Sequence, residues 1–200
     1  MEGDLIMLTE NQILENKAKW LGLCSKLGFD MTKLCQYLDA VDYWHAPYSS
    51  QYNYSYSGGL CQYTLNLANE LGTLSAAYYS NKYSKETIIK VALFKDIYRA
   101  ELYEKYFKNV KNENNEWVQE EAYKYREKRA TYGDLNFSSY MTIRHFYDKF
   151  DDEEIEAITQ ADTKNDYMGD IHNIMKSNPL VALTRMATIV VLYIDSDETK

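Results

Sequence analysis

The side chains that most often perform chemistry in proteins are scarce in this sequence. Its 200 residues include three histidines and three cysteines: His45, His145, His172, Cys24, Cys35 and Cys61. No two cysteines form a CxxC pair and no histidine lies beside such a pair, so we expect no zinc site and predict free, buried thiols. The patterns GxxxxGK, GxGxxG, GxSxG and HExxH are absent as well. The sequence therefore predicts none of these common catalytic or cofactor-binding motifs.

Charge and composition restrict the function further. The chain has 22 basic and 30 acidic residues, a net charge of −8, whereas a general nucleic-acid or anionic-membrane binder needs a basic face. No apolar run reaches the roughly 18 residues that cross a bilayer, and the acidic start is not typical of a signal peptide. We therefore expect a cytoplasmic protein without general nucleic-acid or membrane binding.

Tyrosine is the compositional outlier, with 20 of 200 residues and a dense group between Tyr43 and Tyr83. A tyrosine combines an apolar ring with a hydrogen-bonding hydroxyl, which suits ligand-binding walls and subunit interfaces. Codon bias in an AT-rich genome gives the same enrichment, so both interpretations stay open.

The pattern of apolar residues is helical along most of the chain. Thr9 and Asp151 are predicted helix caps, Gly58 opens a third helix, and Pro179 starts the last. The exception lies at 106–126, where a polar, Asn-rich turn separates two β-compatible runs. We predict one mainly α domain over 1–200, with helices in 1–42, a core over 43–195, a β-hairpin insertion at 106–126 and a polar tail at 196–200.

Four segments then occur in an informative order: YWHAPYSSQYNYSYSGGLCQYTLNL, VALFKDIYRAELY, KNVKNENNEWVQEEAY and NPLVALTRMATIVVLYI. From about Tyr43 to Tyr193 the chain resembles the small HD-domain metal-dependent phosphohydrolases of phages, prophages and bacteria. The resemblance implies an HD-domain-like helical bundle in which the hairpin is an insertion.

Members of that family hold divalent ions with a set of histidines and aspartates, and the metals activate a water molecule. The matching positions in this sequence are Asn53, Tyr63, Lys95, Asp96, Asp134, Arg185 and Thr188, with Ala161 matched less securely. Only Asp96 keeps the family residue, and Asp134 offers a carboxylate where a histidine is expected. Two oxygen ligands do not make such a site, so the resemblance implies an inactive relative with no metal or other cofactor.

Positive charges stand at two of the lost ligand positions, Lys95 and Arg185, and Arg99 matches a basic residue near the family's phosphate. One interpretation is that these cations bind the phosphate oxygens of a nucleotide that stays intact. The other is that Lys95 with Asp96, and Arg185 with Asp134, form ion pairs that fill an unused cavity. Both remain open.

The leading hypothesis is a catalytically inactive HD-fold protein that sequesters a phosphate-bearing small molecule, such as a cyclic nucleotide immune signal, in the host cytoplasm if phage-encoded. Its predicted ligand-binding residues are Tyr52, Asn53, Tyr54, Tyr56, Tyr63, Lys95, Asp96, Arg99, Asp134, Arg185 and Thr188. The alternative is a structural or interaction protein, such as a virion component, a homo-oligomer or an inhibitor of a host protein. A third hypothesis is a phosphohydrolase that uses Asp96, Asp134 and a histidine as variant ligands.

Overall fold

The computed structural model of the chain describes residues 8–80, 82–112, 114–127, 135–162 and 170–194. These ranges contain eight α-helices and one two-stranded antiparallel sheet, so the predicted mainly α fold with a small hairpin is confirmed. The elements are α1 (Glu10–Cys24), α2 (Thr32–Ala40), α3 (Gly59–Tyr78), α4 (Lys85–Phe94), β1 (Tyr103–Lys111), β2 (Trp117–Tyr125), α5 (Leu135–Ile143), α6 (Asp152–Gln160), α7 (Asp170–Ser177) and α8 (Pro179–Tyr193). Short 3-10 turns at Ser25–Leu27 and Ile97–Glu101 follow α1 and α4.

Local sequence signals explain where several helices begin. At α1 the Gln12 amide donates to the Thr9 hydroxyl, and the Thr9 amide donates to the Gln12 side chain. Asp151 and Glu154 make the same reciprocal pair at the start of α6. Each pair satisfies two backbone N–H groups, one of them an amide that the first helical turn leaves without a partner. Both capping predictions are confirmed.

The core forms where α3 packs against α1, α4 and α8, and where α6 packs against α4, α5 and α8. Trp20 on α1 is fully buried and meets the rings of Tyr43, Trp44 and Phe94 edge to face, with ring centres 5.6–6.3 Å apart. Such edge-to-face contacts suit the charge distribution of aromatic rings. This aromatic group joins α1 to the end of α4, where the candidate site begins.

The β-hairpin packs on the core only at its base. Tyr103 is buried with Tyr98 and Leu102, whereas Phe107 and Trp117 lie farther out and are exposed. In the antiparallel register Tyr103 pairs with Tyr125 and Lys111 with Trp117. The hairpin therefore begins three residues before the predicted Tyr106, because β1 continues into the core through Tyr103.

The three cysteines are free, as predicted, with Cys24 and Cys61 buried and Cys35 partly exposed. Burial raises the pKa of the Cys61 thiol to about 12. No helix in the described ranges has the length and apolar character that crossing a membrane requires.

Candidate functional site

Three segments bring four charged side chains together, and we call Lys95, Asp96, Arg99 and Asp162 the charged cluster. Lys95 directly follows α4 as its C-cap and is fully buried, with Asp96 beside it. The Lys95 ammonium nitrogen lies 2.8 Å from Asp96 Oδ2 and 2.5 Å from Asp162 Oδ2, just beyond the end of α6. The ammonium is therefore held between two carboxylates.

Arg99 completes the charged cluster from the 3-10 turn that follows α4. Its Nε donates to Asp96 Oδ1 at 2.5 Å, so both oxygens of that carboxylate accept a hydrogen bond from a cation. The guanidinium also lies 4.0 Å from the centre of the Tyr48 ring, and its Nη1 donates to the Tyr48 carbonyl at 3.4 Å. Two positive and two negative charges balance within the cluster.

Mutual attraction keeps Lys95 and Asp96 ionised although both are buried. Burial by itself would lower the pKa of Lys95, but Asp162 and Asp96 overcome that effect and hold the pKa above its ordinary value. Burial would likewise raise the pKa of Asp96, but Lys95 and then Arg99 hold it well below its ordinary value. An ion pair without water around it keeps its charges only when each is neutralised by a close partner, as here.

Aromatic rings cover one side of the charged cluster. Tyr48 and the fully buried Tyr63 lie with ring centres 4.0 Å apart, and Tyr54 meets Tyr63 edge to face at 5.7 Å. Burial raises the pKa of Tyr48 to about 12 despite the opposing charge of Arg99, and it raises the pKa of Tyr63 further. These phenols stay neutral at physiological pH.

Tyr63 also faces Thr188 on α8, one of the positions matched to the family. The Thr188 hydroxyl is close enough to offset part of the rise in the Tyr63 pKa. Within the described part of the chain, neither buried hydroxyl has a partner at hydrogen-bond geometry.

The structure gathers some of the predicted site residues and separates others. Lys95, Asp96, Arg99 and Tyr63 come together, and the Asn53 amide donates to the Leu192 carbonyl at the end of α8. Tyr52 instead projects into solvent, with 79% of its surface exposed.

The remaining predicted residues lie elsewhere or cannot be placed. Tyr56 lies beside Tyr54, with ring centres 6.0 Å apart, and it lines a separate cavity of about 440 Å³ together with His45. Arg185 is half-buried on α8, whereas Asp134 lies outside the described residues. The Lys95–Asp96 ion pair given as one interpretation is present, and its counterpart between Arg185 and Asp134 is untested.

Two residues of the site were missed by sequence reasoning. Asp162 follows directly after Ala161, the least secure of the family matches, so a shift of one position would have found it. Tyr48 follows the Ala46-Pro47 pair of the first segment, but nothing in its spacing indicated a contact with Arg99.

The described residues contain no group of three or more histidine, cysteine or acidic side chains placed to hold a metal ion. His145 and His172 are exposed, and His45 contacts Asp42 and Glu10. The cation between Asp96 and Asp162 is the Lys95 ammonium itself. Because this charge is fixed to the chain, the cluster has no open coordination position of the kind a catalytic metal needs.

Comparisons with protein-family models, with curated proteins and with solved structures find no match to the chain. The geometry of the described residues is therefore the basis on which a function can be assigned.

Proposed function

We propose that this protein is a non-catalytic binding protein that acts through its surface on a protein partner, and that its charged cluster is a structural element. The observation that carries the non-catalytic part of the proposal is the Lys95 ammonium held between Asp96 and Asp162. Phosphate hydrolysis of the metal-dependent kind needs a Lewis acid and an activated water molecule, and an ammonium supplies neither. The resemblance to HD-domain proteins would then concern the fold alone.

Exposed aromatic residues on the hairpin support a protein partner. Phe107 is 61% exposed and Trp117 is 69% exposed, and the strand register puts both on the same face. Aromatic residues are enriched at the centres of protein interfaces, where they contribute most of the binding free energy. Because two large exposed rings lie on one face of the hairpin, we assign this face to the interaction.

The hairpin also has the rigidity that an interaction surface needs. Nine residue pairs run from Tyr103 opposite Tyr125 to Lys111 opposite Trp117. Cross-strand ion pairs join Lys105 to Glu121 at 2.7 Å and Lys124 to Glu104 at 3.1 Å. The exposed aromatic face is therefore presented by a paired β-ribbon that is anchored in the core at Tyr103.

A double variant tests the proposed surface. Phe107→Ser with Trp117→Ser should leave the fold intact and abolish retention of the partner by the purified protein, since both rings are exposed. Val118→Ser is the matched control, because Val118 is exposed on the opposite face of the hairpin. A partner that is retained by wild type and lost in the double variant should, once purified, bind directly to purified wild-type protein. Equal retention by all three proteins would contradict the proposal.

A second candidate is the capture of a phosphate-bearing small molecule, and one observation favours it. Arg99 is the cation of the charged cluster whose side chain reaches solvent, with 16% of it exposed. Lys95 is fully enclosed by its carboxylates and would have to leave them before it could contact a phosphate.

The non-catalytic part of the proposal has its own test. Purified protein with added Mn²⁺ should show no turnover of nucleoside mono-, di- or triphosphates or of cyclic dinucleotides. Manganese-dependent hydrolysis that disappears in Asp96→Asn would contradict the proposal and favour a phosphohydrolase with variant ligands. Both oxygens of Asp96 already accept from cations, which weighs against that outcome.

A further inference from the structure

A cavity of about 320 Å³ lies between the 49–52 loop and the base of the hairpin, separate from the residues of the charged cluster. It is lined by Ser49, Ser50, Gln51, Tyr52, Tyr103, Tyr106, Tyr123, Lys124 and Tyr125. Five of these nine residues are tyrosines, and we call the feature the tyrosine cavity. Its volume is at the lower end of small-molecule sites, which span about 300–1,000 Å³.

The tyrosine cavity has a fixed floor and an exposed rim. Tyr103 is buried, and its ring centre lies 5.0 Å from that of Tyr125, with the two rings inclined by 37°. Tyr125 is itself 53% exposed, and Tyr52 is more exposed still. Flat, accessible phenol rings above a packed floor are suited to stacking on a planar aromatic ring.

The loop that carries Tyr52 is held in place by hydrogen bonds of its own. The Tyr52 amide donates to the Ser49 hydroxyl at 3.0 Å, and that hydroxyl donates to the Asn53 carbonyl at 3.2 Å. The loop is therefore ordered before any ligand arrives, which lowers the entropic cost of binding. Ser50 and Gln51 add polar side chains that can recognise the edge of a ring.

The charge of the cavity lining indicates that a ligand would carry an anionic group. The whole chain carries a net charge of −8, yet among the described residues no acidic residue lines the tyrosine cavity, and Lys124 is the charged residue that does. Lys124 pairs with Glu104 at 3.1 Å, but both side chains are about half exposed, and such pairs contribute little to stability. An anionic group of a ligand can therefore replace Glu104 as the partner of Lys124 at low cost.

Arg99, which is paired with Asp96, lies near the buried floor of the tyrosine cavity. Burial raises the pKa of Tyr103, and the hydrogen bond with Tyr125 raises it further, whereas the charge of Arg99 acts in the opposite direction. Arg99 is thus close enough to Tyr103 for its charge to be felt at the phenol oxygen.

We propose that the tyrosine cavity binds a planar aromatic ring that carries an anionic group, with the ring against Tyr52 and Tyr125 and the anion at Lys124. A mononucleotide has this chemistry. The site does not depend on the protein partner proposed above, and it gives the small-molecule candidate a location other than the charged cluster.

Isothermal titration of the full-length protein with AMP, adenosine and ribose 5-phosphate at low ionic strength tests both halves of the proposal. AMP should bind at least tenfold more tightly than either fragment, because only AMP has the ring together with the phosphate. Equal affinity for ribose 5-phosphate would overturn the stacking, and equal affinity for adenosine would overturn the role of Lys124. No binding of AMP, GMP or UMP at millimolar concentration would overturn the whole proposal.

Variants locate the site. Tyr52→Ala should weaken AMP binding at least tenfold, which is within the range that a stacked ring contributes. Tyr78→Ala is the matched control, because Tyr78 is exposed near the end of α3 and does not line the cavity. Lys124→Ala should weaken AMP while leaving adenosine unchanged. Equal losses for Tyr52→Ala and Tyr78→Ala, or no loss in either, would contradict the assignment.

Discussion

The charged side chains of Lys95 and Asp162 come from positions 67 residues apart, and their nitrogen and oxygen atoms lie 2.5 Å from each other. Asp96, next to Lys95 in the chain, holds the other side of the same ammonium. The contact therefore ties the end of α4 to the residues that follow α6.

Replacement of Lys95 by methionine should destabilise the protein strongly. The variant keeps most of the side-chain volume but leaves Asp96 and Asp162 without the cation between them. Loss of one partner of a buried ion pair costs about 3–5 kcal/mol. Here it leaves two carboxylates close together, with Arg99 as the one remaining cation of the charged cluster. The free energy of unfolding in urea measures the loss.

Lys108→Met is the control for that experiment, since Lys108 and Glu120 form a partly exposed pair at 3.5 Å on the hairpin. Its effect should stay within about 1 kcal/mol. If Lys95→Met were as stable as wild type, the charged cluster would not be structural and the phosphate-binding role of Lys95 would regain support.

Acid should destabilise the protein through Asp96. The folded pKa of Asp96 lies below its unfolded value of about 3.9, since Lys95 and Arg99 outweigh the effect of burial. The stability from this group is therefore fully present above that unfolded value and is lost as pH falls through the folded pKa. Unfolding free energies between pH 2 and 6 should fall more steeply for wild type than for Asp96→Asn. Parallel curves would contradict the assignment.

His45 should give the opposite pH dependence. Its Nδ1 lies 2.7 Å from Asp42 and its Nε2 lies 3.6 Å from Glu10, and these carboxylates raise its pKa although partial burial acts to lower it. Stability from His45 is present below the unfolded pKa of about 6.5 and is lost as pH rises through the folded pKa.

Stability curves and a direct titration can check that expectation. The difference in unfolding free energy between wild type and His45→Gln should be larger at pH 5.5 than at pH 9. In an NMR titration, Asp42→Asn should shift the His45 midpoint to lower pH. A midpoint unchanged by Asp42→Asn would show that the contact does not act on the imidazole.

Two glycines in helices should respond to alanine in opposite ways. A Cβ atom at Gly59 would press against the Tyr54 carbonyl oxygen, at a separation that real carbon atoms do not reach. At Gly22, inside α1, the same atom would meet nothing within 4 Å. Gly59→Ala should cost more than about 2 kcal/mol, because the backbone must move. Gly22→Ala should instead add roughly 0.5–1 kcal/mol through helix propensity. Thermal unfolding of both variants gives the comparison, and loss of stability at both positions would contradict it.

Local signals allowed much of the fold to be predicted, because a capping pair such as Thr9 with Gln12 acts within one helical turn. The hairpin was predicted for the same reason, from a polar turn between two β-compatible runs. The contact of Asp162 with Lys95 depends instead on how α4 and α6 pack, and no pattern within either segment contains that information.

The burial of individual tyrosines could not be predicted from the sequence either, even for neighbouring positions. Tyr52 and Tyr54 are two positions apart and share a side-chain type, yet Tyr52 is exposed and Tyr54 is buried. Tyr54 has a φ of 59°, which lies in the left-handed region that residues other than glycine seldom adopt. Composition identified the tyrosines as candidates for a site but could not divide them between core and cavity.

The order in which the charged cluster can form has a kinetic consequence. Arg99 contacts Tyr48 across 51 residues and Lys95 contacts Asp162 across 67, so both long loops must close before these charges can leave water. Contacts that complete late contribute little to the folding transition state, and their removal mainly accelerates unfolding. The charged cluster should therefore set how long the folded chain persists more than how quickly it folds.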